Sequence, residues 1–189
     1  MFRPASLKVR ALQWLAQREH SPTELRDKLL RLRQRDTARG TAADADSVER
    51  PDDTAAQAES DDPEAEVEGV LTWLTQHGHL SVVRFTESRI HARQSRFGNR
   101  RIQLELQQHG VVLDAETKQA LAQTELARAS ALWQRRYGAP PVDAAARLRQ
   151  MRFLAGRGFS IDVVRRVVPG GAQTHPLAAA DPATTDGGG

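Results

Sequence analysis

Cysteine is absent from this 189-residue chain, which excludes a disulfide scaffold and any thiolate metal site and suits a reducing compartment. Aromatic residues make up only 5% of it, with one tyrosine, and β-branched runs are scarce, which argues against a sheet-based fold. No run of 18 apolar residues occurs, and Met1-Phe2-Arg3-Pro4-Ala5-Ser6-Leu7-Lys8 lacks the apolar core of a signal peptide. These absences predict a soluble, cytoplasmic protein without a membrane partner. Catalytic signatures are missing as well: there is no Gly-rich phosphate loop with a Lys and no nucleophile-elbow Ser. The close pair His77 and His79 has no Cys or paired carboxylate beside it and reads as a helix-ending turn. Glu24, Glu68 and Glu105 read as capping and ion-pairing residues. No catalysis, metal or cofactor is expected.

What the chain does have is Ala, Leu, Gln, Arg and Glu, the vocabulary of helices. Its net charge of +3 conceals two opposed parts. From Asp36 to Glu66 there are 11 acidic residues against Arg39 and Arg50, which leaves 25 basic and 13 acidic side chains elsewhere. A body this basic favours a polyanionic partner, either nucleic acid or an acidic protein surface. The stretch Thr37–Asp62 has one large aliphatic residue, Val48, and is expected to be a disordered acidic insert. The low-complexity tail 169–189 is expected to be disordered too.

The remainder predicts nine helices. Leu7, Ala11, Trp14 and Leu15 share one helix face. Ser21-Pro22-Thr23-Glu24 starts a second helix, with Ser21 as cap, Glu24 returning to the Ser21 amide, and Leu25, Leu29 and Leu32 inside. Asp62-Pro63 opens a third, with Val67, Val70, Leu71 and Leu74 inward and Gly78 at its end. Helices follow over Val82–Arg96, Asn99–His109, Ala115–Ala122, Glu125–Arg136, Val142–Ala155 and Ile161–Val168.

Three corners share a pattern of Gln, two residues, a ring and a small residue: Gln17 to His20-Ser21, Gln94 to Phe97-Gly98, and Gln134 to Tyr137-Gly138. Their offsets are 77 and 40, and removing the insert brings the first near the second. Leu25 and Leu29 match Ile102 and Leu106, and Leu106-(x3)-Gly110-Val111 returns as Leu154-(x3)-Gly158-Phe159. An all-helical period near 40 predicts three tandem three-helix repeats in an elongated, curved array. The repeats would span 5–80, 81–123 and 124–168. In each, the ring plugs the corner and the small residue lets the chain turn, while Gly110 and Gly158 end helices. Phe97-Gly98 thus reads as a hinge.

The expected working surface is cationic. Arg89, Arg93 and Arg96 recur on one helix face, and Arg100 and Arg101 continue the row past Phe97-Gly98. The third repeat offers Arg128, Arg135, Arg136, Arg147, Arg149, Arg152 and Arg157, with Arg165 and Arg166 beyond. Trp14, Trp73 and Trp133 fall on apolar faces and are expected in the core.

With these residues in place the chain resembles the RecX family, bacterial regulators of the RecA recombinase. The likeness is carried by Arg84-Phe85-Thr86-Glu87-Ser88 through Phe97-Gly98-Asn99-Arg100-Arg101-Ile102-Gln103-Leu104-Glu105-Leu106 to His109-Gly110-Val111. Ser21-Pro22-Thr23-Glu24-Leu25-Arg26-Asp27-Lys28-Leu29 is similar to the family's opening pattern, and Leu154-Ala155-Gly156-Arg157-Gly158-Phe159-Ser160 to its closing one. The chain departs from the pattern at Ser81, Val82 and Val83, where acids are usual, at His109, where Lys is usual, and in the insert. The resemblance implies a non-enzymatic monomer that binds the RecA–DNA filament and limits strand exchange, ATP hydrolysis and the co-protease activity of the SOS response. The Arg residues named above would then meet RecA, single-stranded or duplex DNA. The alternative is direct action on DNA without RecA, because Arg100–His109 followed by Ala115–Ala122 has the form of a helix-turn-helix.

Overall fold

The computed structural model describes residues 6–44 and 62–170, and within them every regular element is an α-helix. There are eight: α1 (Leu7–Gln17), α2 (Pro22–Asp44), α3 (Pro63–Gln76), α4 (Val82–Gln94), α5 (Asn99–Gln108), α6 (Ala115–Arg136), α7 (Ala144–Gly156) and α8 (Ile161–Val167). Most are too short to stand alone in water, so apolar burial against neighbours must hold them.

That burial falls into three clusters. Leu7, Ala11, Leu25, Leu29, Val67, Val70, Leu71, Leu74 and Leu80 form the first, between α1, α2 and α3. Phe85, Ile102, Leu106, Val111, Leu113 and Leu121 form the second, between α4, α5 and the start of α6. Ala129, Leu132, Trp133, Leu154, Phe159, Val164, Val167 and Val168 form the third, between the end of α6, α7 and α8. Leu25, Leu29, Ile102, Leu106 and Leu154 are at most 1% exposed, so each contributes about 1.5–3 kcal/mol of burial. Trp133 is buried with its indole N–H donating to Gln150 Oε1 at 2.8 Å, and Trp14 and Trp73 pack on the first cluster.

The same helix ending closes α3, α5 and α7. Gly78, Gly110 and Gly158 have φ of 70°, 74° and 85°, the left-handed region that glycine enters cheaply. The amides after them return to Leu74, Leu106 and Leu154 at 2.8, 2.9 and 3.3 Å, which satisfies carbonyls the helix end would orphan.

Two expectations are corrected. The nine helices become eight among the described residues, because Ala115–Ala122 and Glu125–Arg136 are one helix, α6. The stretch between them has neither Gly nor Pro, and Thr124 turns its hydroxyl back to Ala120 and Leu121 carbonyls at 3.4 and 3.2 Å instead of breaking the helix. Residue 123, after which the third repeat was expected to begin, lies within this helix. The insert also begins later than expected: residues 37–44 continue α2, where Thr37 donates to the Arg33 carbonyl at 3.0 Å. Adding residues to a formed helix costs little, so an apolar face is not needed there. Residues 45–61 lie outside the described residues, as does the tail beyond Gly170.

Candidate functional site

The site is framed by the joints between clusters. At the second joint the Gly98 amide donates to the Arg157 carbonyl at 2.9 Å and the Arg100 amide to the Gly158 carbonyl at 3.1 Å. The start of α5 thus sits on the end of α7, and its orphan donors meet orphan acceptors. Gly98 itself has φ −78°, so its place at the Phe97-Gly98 corner does not rest on a left-handed backbone. A Cβ there would stand 2.2 Å from the Phe159 nitrogen and 2.4 Å from the Gly158 carbonyl, and close backbone approach is why glycine occupies it. At the first joint the Thr23 hydroxyl donates to the His109 carbonyl at 2.7 Å, beside Gly110.

Glu125 of α6, 5% exposed, ties the second joint from within. It accepts from the Asn99 amide at 3.0 Å, the Ser160 amide at 3.2 Å and the Ser160 hydroxyl at 3.1 Å. Neither α5 nor α8 has a side-chain cap of its own, so one carboxylate serves both helix starts. Arg128, one turn on, donates to the Gln94, Phe97 and Leu121 carbonyls at 3.2, 3.0 and 3.1 Å and to Asn99 Oδ1. Burial pulls its pKa down. Arg128 therefore leaves the expected cationic face and closes helix ends instead.

Around these joints the arginines gather in two places. Arg89 and Arg93 of α4 and Arg100 and Arg101 of α5 line one open groove, together with Arg18, Glu24, Glu105 and the 155–158 end of α7. All three clusters contribute to its walls. Glu105 Oε1 lies 3.3 Å from Arg89 Nη1 and 3.0 Å from Arg93 Nε, so two arginines of the expected row share one counter-charge. Arg96, Arg135, Arg136 and Arg157 surround a second recess with Leu132 and Phe153. Arg147, Arg149 and Arg152 of α7 line neither, and Arg147 Nε donates to the Pro169 carbonyl at 3.2 Å. Sequence reasoning missed Arg18, Gln103 and Phe153 as wall residues; Arg18 had a signal, since it follows Gln17 in the repeated corner.

The corners differ from one another. His20 and Ser21 are fully buried, whereas Phe97 and Tyr137 are half-buried. Ser21 Oγ accepts from the Glu24 amide at 3.0 Å as expected. The Glu24 carboxylate does not return to Ser21; it pairs with Arg18, stands 3.2 Å from His20 Nδ1 and 3.9 Å from Lys28 Nζ. Burial lowers the His20 pKa. Burial would raise Glu24, but the His20 and Arg18 charges bring it below its ordinary range. Gly138 has φ 68°, and a Cβ there would meet only the Gln134 carbonyl oxygen, at 3.6 Å. His77 and His79 stack on Trp73 at centroid distances of 4.2 and 5.6 Å, and among the described residues no cluster of His, Asp or Glu could hold a metal. No helix there is long and apolar enough to cross a membrane.

Fold and site together define an all-helical repeat protein with an arginine-lined groove. Residues 123–168 match the family model described as RecX, third three-helix domain. The chain is 43% identical over 169 residues to "Regulatory protein RecX" of Ralstonia nicotianae, covering 88% of this chain and 89% of that protein. It is 43% identical over 165 residues to the protein of the same name from Leptothrix cholodnii, covering 86% and 87%. The likeness to that of Herbaspirillum seropedicae is 40% over 164 residues, covering 86% and 88%. The chain belongs to the RecX family of regulatory proteins.

Proposed function

We propose that this chain binds the RecA–DNA filament and restrains RecA, lowering ATP hydrolysis, strand exchange and co-protease activity. The supporting observation is the groove whose walls come from all three clusters and carry Arg18, Arg89, Arg93, Arg100 and Arg101 beside Glu24 and Glu105. A repetitive polymer offers the same surface many times, and a ligand that engages it through several units gains avidity that no single unit has. Mixed charge in the groove suits a protein surface, where patterned acids and bases set register and reject wrong partners. Restraint needs no catalytic group: an occupied filament groove excludes a second DNA or a repressor substrate. The protein would work as a monomer in the cytoplasm, where RecA acts.

Titrating the protein into RecA on single-stranded DNA tests this reading. ATP hydrolysis and strand exchange should fall at stoichiometries well below one protein per RecA. Unchanged hydrolysis, exchange and filament lifetime at several-fold excess would end it.

A further inference from the structure

The second recess differs from the groove in what its arginines already touch. Several arginines of this chain meet a glutamate: Arg26 meets Glu64 and Glu68, Arg33 meets Glu66, Arg84 meets Glu19, and Arg89 and Arg93 of the groove share Glu105. Arg96, Arg135, Arg136 and Arg157 do not. Among the described residues no acidic side chain lines their recess and no carboxylate pairs with them. Four like charges around one recess repel one another, and an anion entering it would relieve that repulsion.

Aromatic rings hold these groups in place. The Arg101 guanidinium lies 4.7 Å from the Phe97 centroid, and that of Arg157 lies 5.6 Å from Phe97 and 5.2 Å from Phe153. Phe153 meets Tyr137 edge-on at 5.6 Å, and Arg136 lies 5.9 Å from the Tyr137 ring. The result is a continuous ladder of cation and ring across the second joint: Arg101, Phe97, Arg157, Phe153, Tyr137, Arg136. A guanidinium held over a ring keeps N–H donors for other partners and loses less freedom when they bond. Guanidinium forks match phosphate or carboxylate oxygens, not a metal or an apolar peptide, and four around one recess suit the closely spaced anions of a phosphodiester chain.

We infer that the recess of Arg96, Arg135, Arg136 and Arg157 is a phosphodiester site that grips nucleic-acid backbone without regard to base. This deepens the filament reading, on which it rests for its setting, by assigning one of the two arginine clusters to the DNA. The rings serve to hold the arginines, so binding is independent of base sequence.

The test uses the full chain without RecA and fluorescence anisotropy with a labelled oligothymidine strand and a mixed-sequence duplex of equal length. Arg96→Glu/Arg135→Glu/Arg136→Glu should weaken binding at least tenfold and flatten the slope of log affinity against log salt by about 2 for the single strand, at roughly 0.7 per lost contact. Arg149→Glu/Arg152→Glu/Arg166→Glu makes the same charge change on exposed arginines outside the recess and should cost less than threefold. Arg157→Lys keeps the charge but loses the fork and should weaken binding several-fold with an unchanged melting temperature. Recess-dependent binding of either probe supports the site, and the two probes show which DNA form it takes. Equal losses in the two triple variants, or no binding by the unaltered chain at low salt, overturn it. RecA inhibition by a chain that binds neither probe would sink this site while leaving the filament reading intact. Recess-dependent DNA binding without RecA inhibition would do the reverse.

Discussion

Gly98 and Gly158 pack backbone against backbone: a Cβ on Gly98 would stand 2.4 Å from the Gly158 carbonyl carbon, and one on Gly158 would stand 2.6 Å from Arg101 Cβ. The contact lets the Gly98 and Arg100 amides reach the Arg157 and Gly158 carbonyls, so α5 begins where α7 ends. Thr23 and His109 join α2 to α5 with one side-chain bond in the corresponding place. The pattern stops at α7, where Asp143 caps its own helix through the Ala146 amide. Each arginine cluster is therefore positioned by a joint.

Replacing Gly98 by Ala should cost about 2–3 kcal/mol, because the colliding atoms are backbone and cannot swing away. Gly69→Ala in α3 makes the opposite case: nothing lies within 4 Å of its Cβ, and the gain should be about 0.5–1 kcal/mol. Urea unfolding of the two variants checks the pair, and equal effects would refute the close approach.

Removing the Glu125 carboxylate as Glu125→Ala leaves the Asn99 and Ser160 amides buried without an acceptor and strips Arg128 of a neighbouring charge. The expected loss is on the order of 3–5 kcal/mol, against about half of that for Glu125→Gln. Hydrogen exchange at Asn99 and Ser160 should accelerate together, which a cap serving only one helix would not do.

Acid should loosen the first joint. His20 has a folded pKa below its unfolded value, so its contribution is complete above about pH 6.5 and erodes as the unfolded chain takes up the proton below that. Glu24, also depressed when folded, contributes fully above about 4.5 and loses this as pH falls through its folded pKa. Melting temperatures between pH 7.5 and 4 should fall on acidification, and His20→Gln should flatten the portion between 6.5 and 5. A wild-type melting temperature that rises over that interval contradicts the assignment.

Arg100→Glu/Arg101→Glu reverses charge in the groove at two exposed positions without a glutamate partner. The protein concentration needed to halve RecA ATP hydrolysis should rise at least tenfold. An unchanged value would place the contact elsewhere.

Much of this architecture is legible in the chain because its cores are local. Leu25, Leu29, Ile102, Leu106 and Leu154 are spaced for one helix face and are all buried, and Gly110 and Gly158 end helices where they are expected to. The joints are a different matter. Glu125 and Arg128 sit in Thr-Glu-Leu-Ala-Arg-Ala-Ser, which reads as a solvated helix surface, and their partners are 26 to 35 residues away. Gly98 invites a turn explanation because the atoms that crowd it come from Gly158 and Phe159. The fused α6 was hidden by Thr124, a poor helix former whose hydroxyl finds acceptors inside the helix. Helix periodicity could not separate Arg89 and Arg93, which share Glu105, from the unpaired set around Arg157.

The most direct trial is electron microscopy of RecA filaments on single-stranded DNA with the protein in slight excess. Added density should repeat along the filament groove, with the Arg100-bearing face toward RecA, and should disappear with Arg100→Glu/Arg101→Glu. Bare filaments at saturating concentration, or density that survives the charge reversal, would contradict the proposed function.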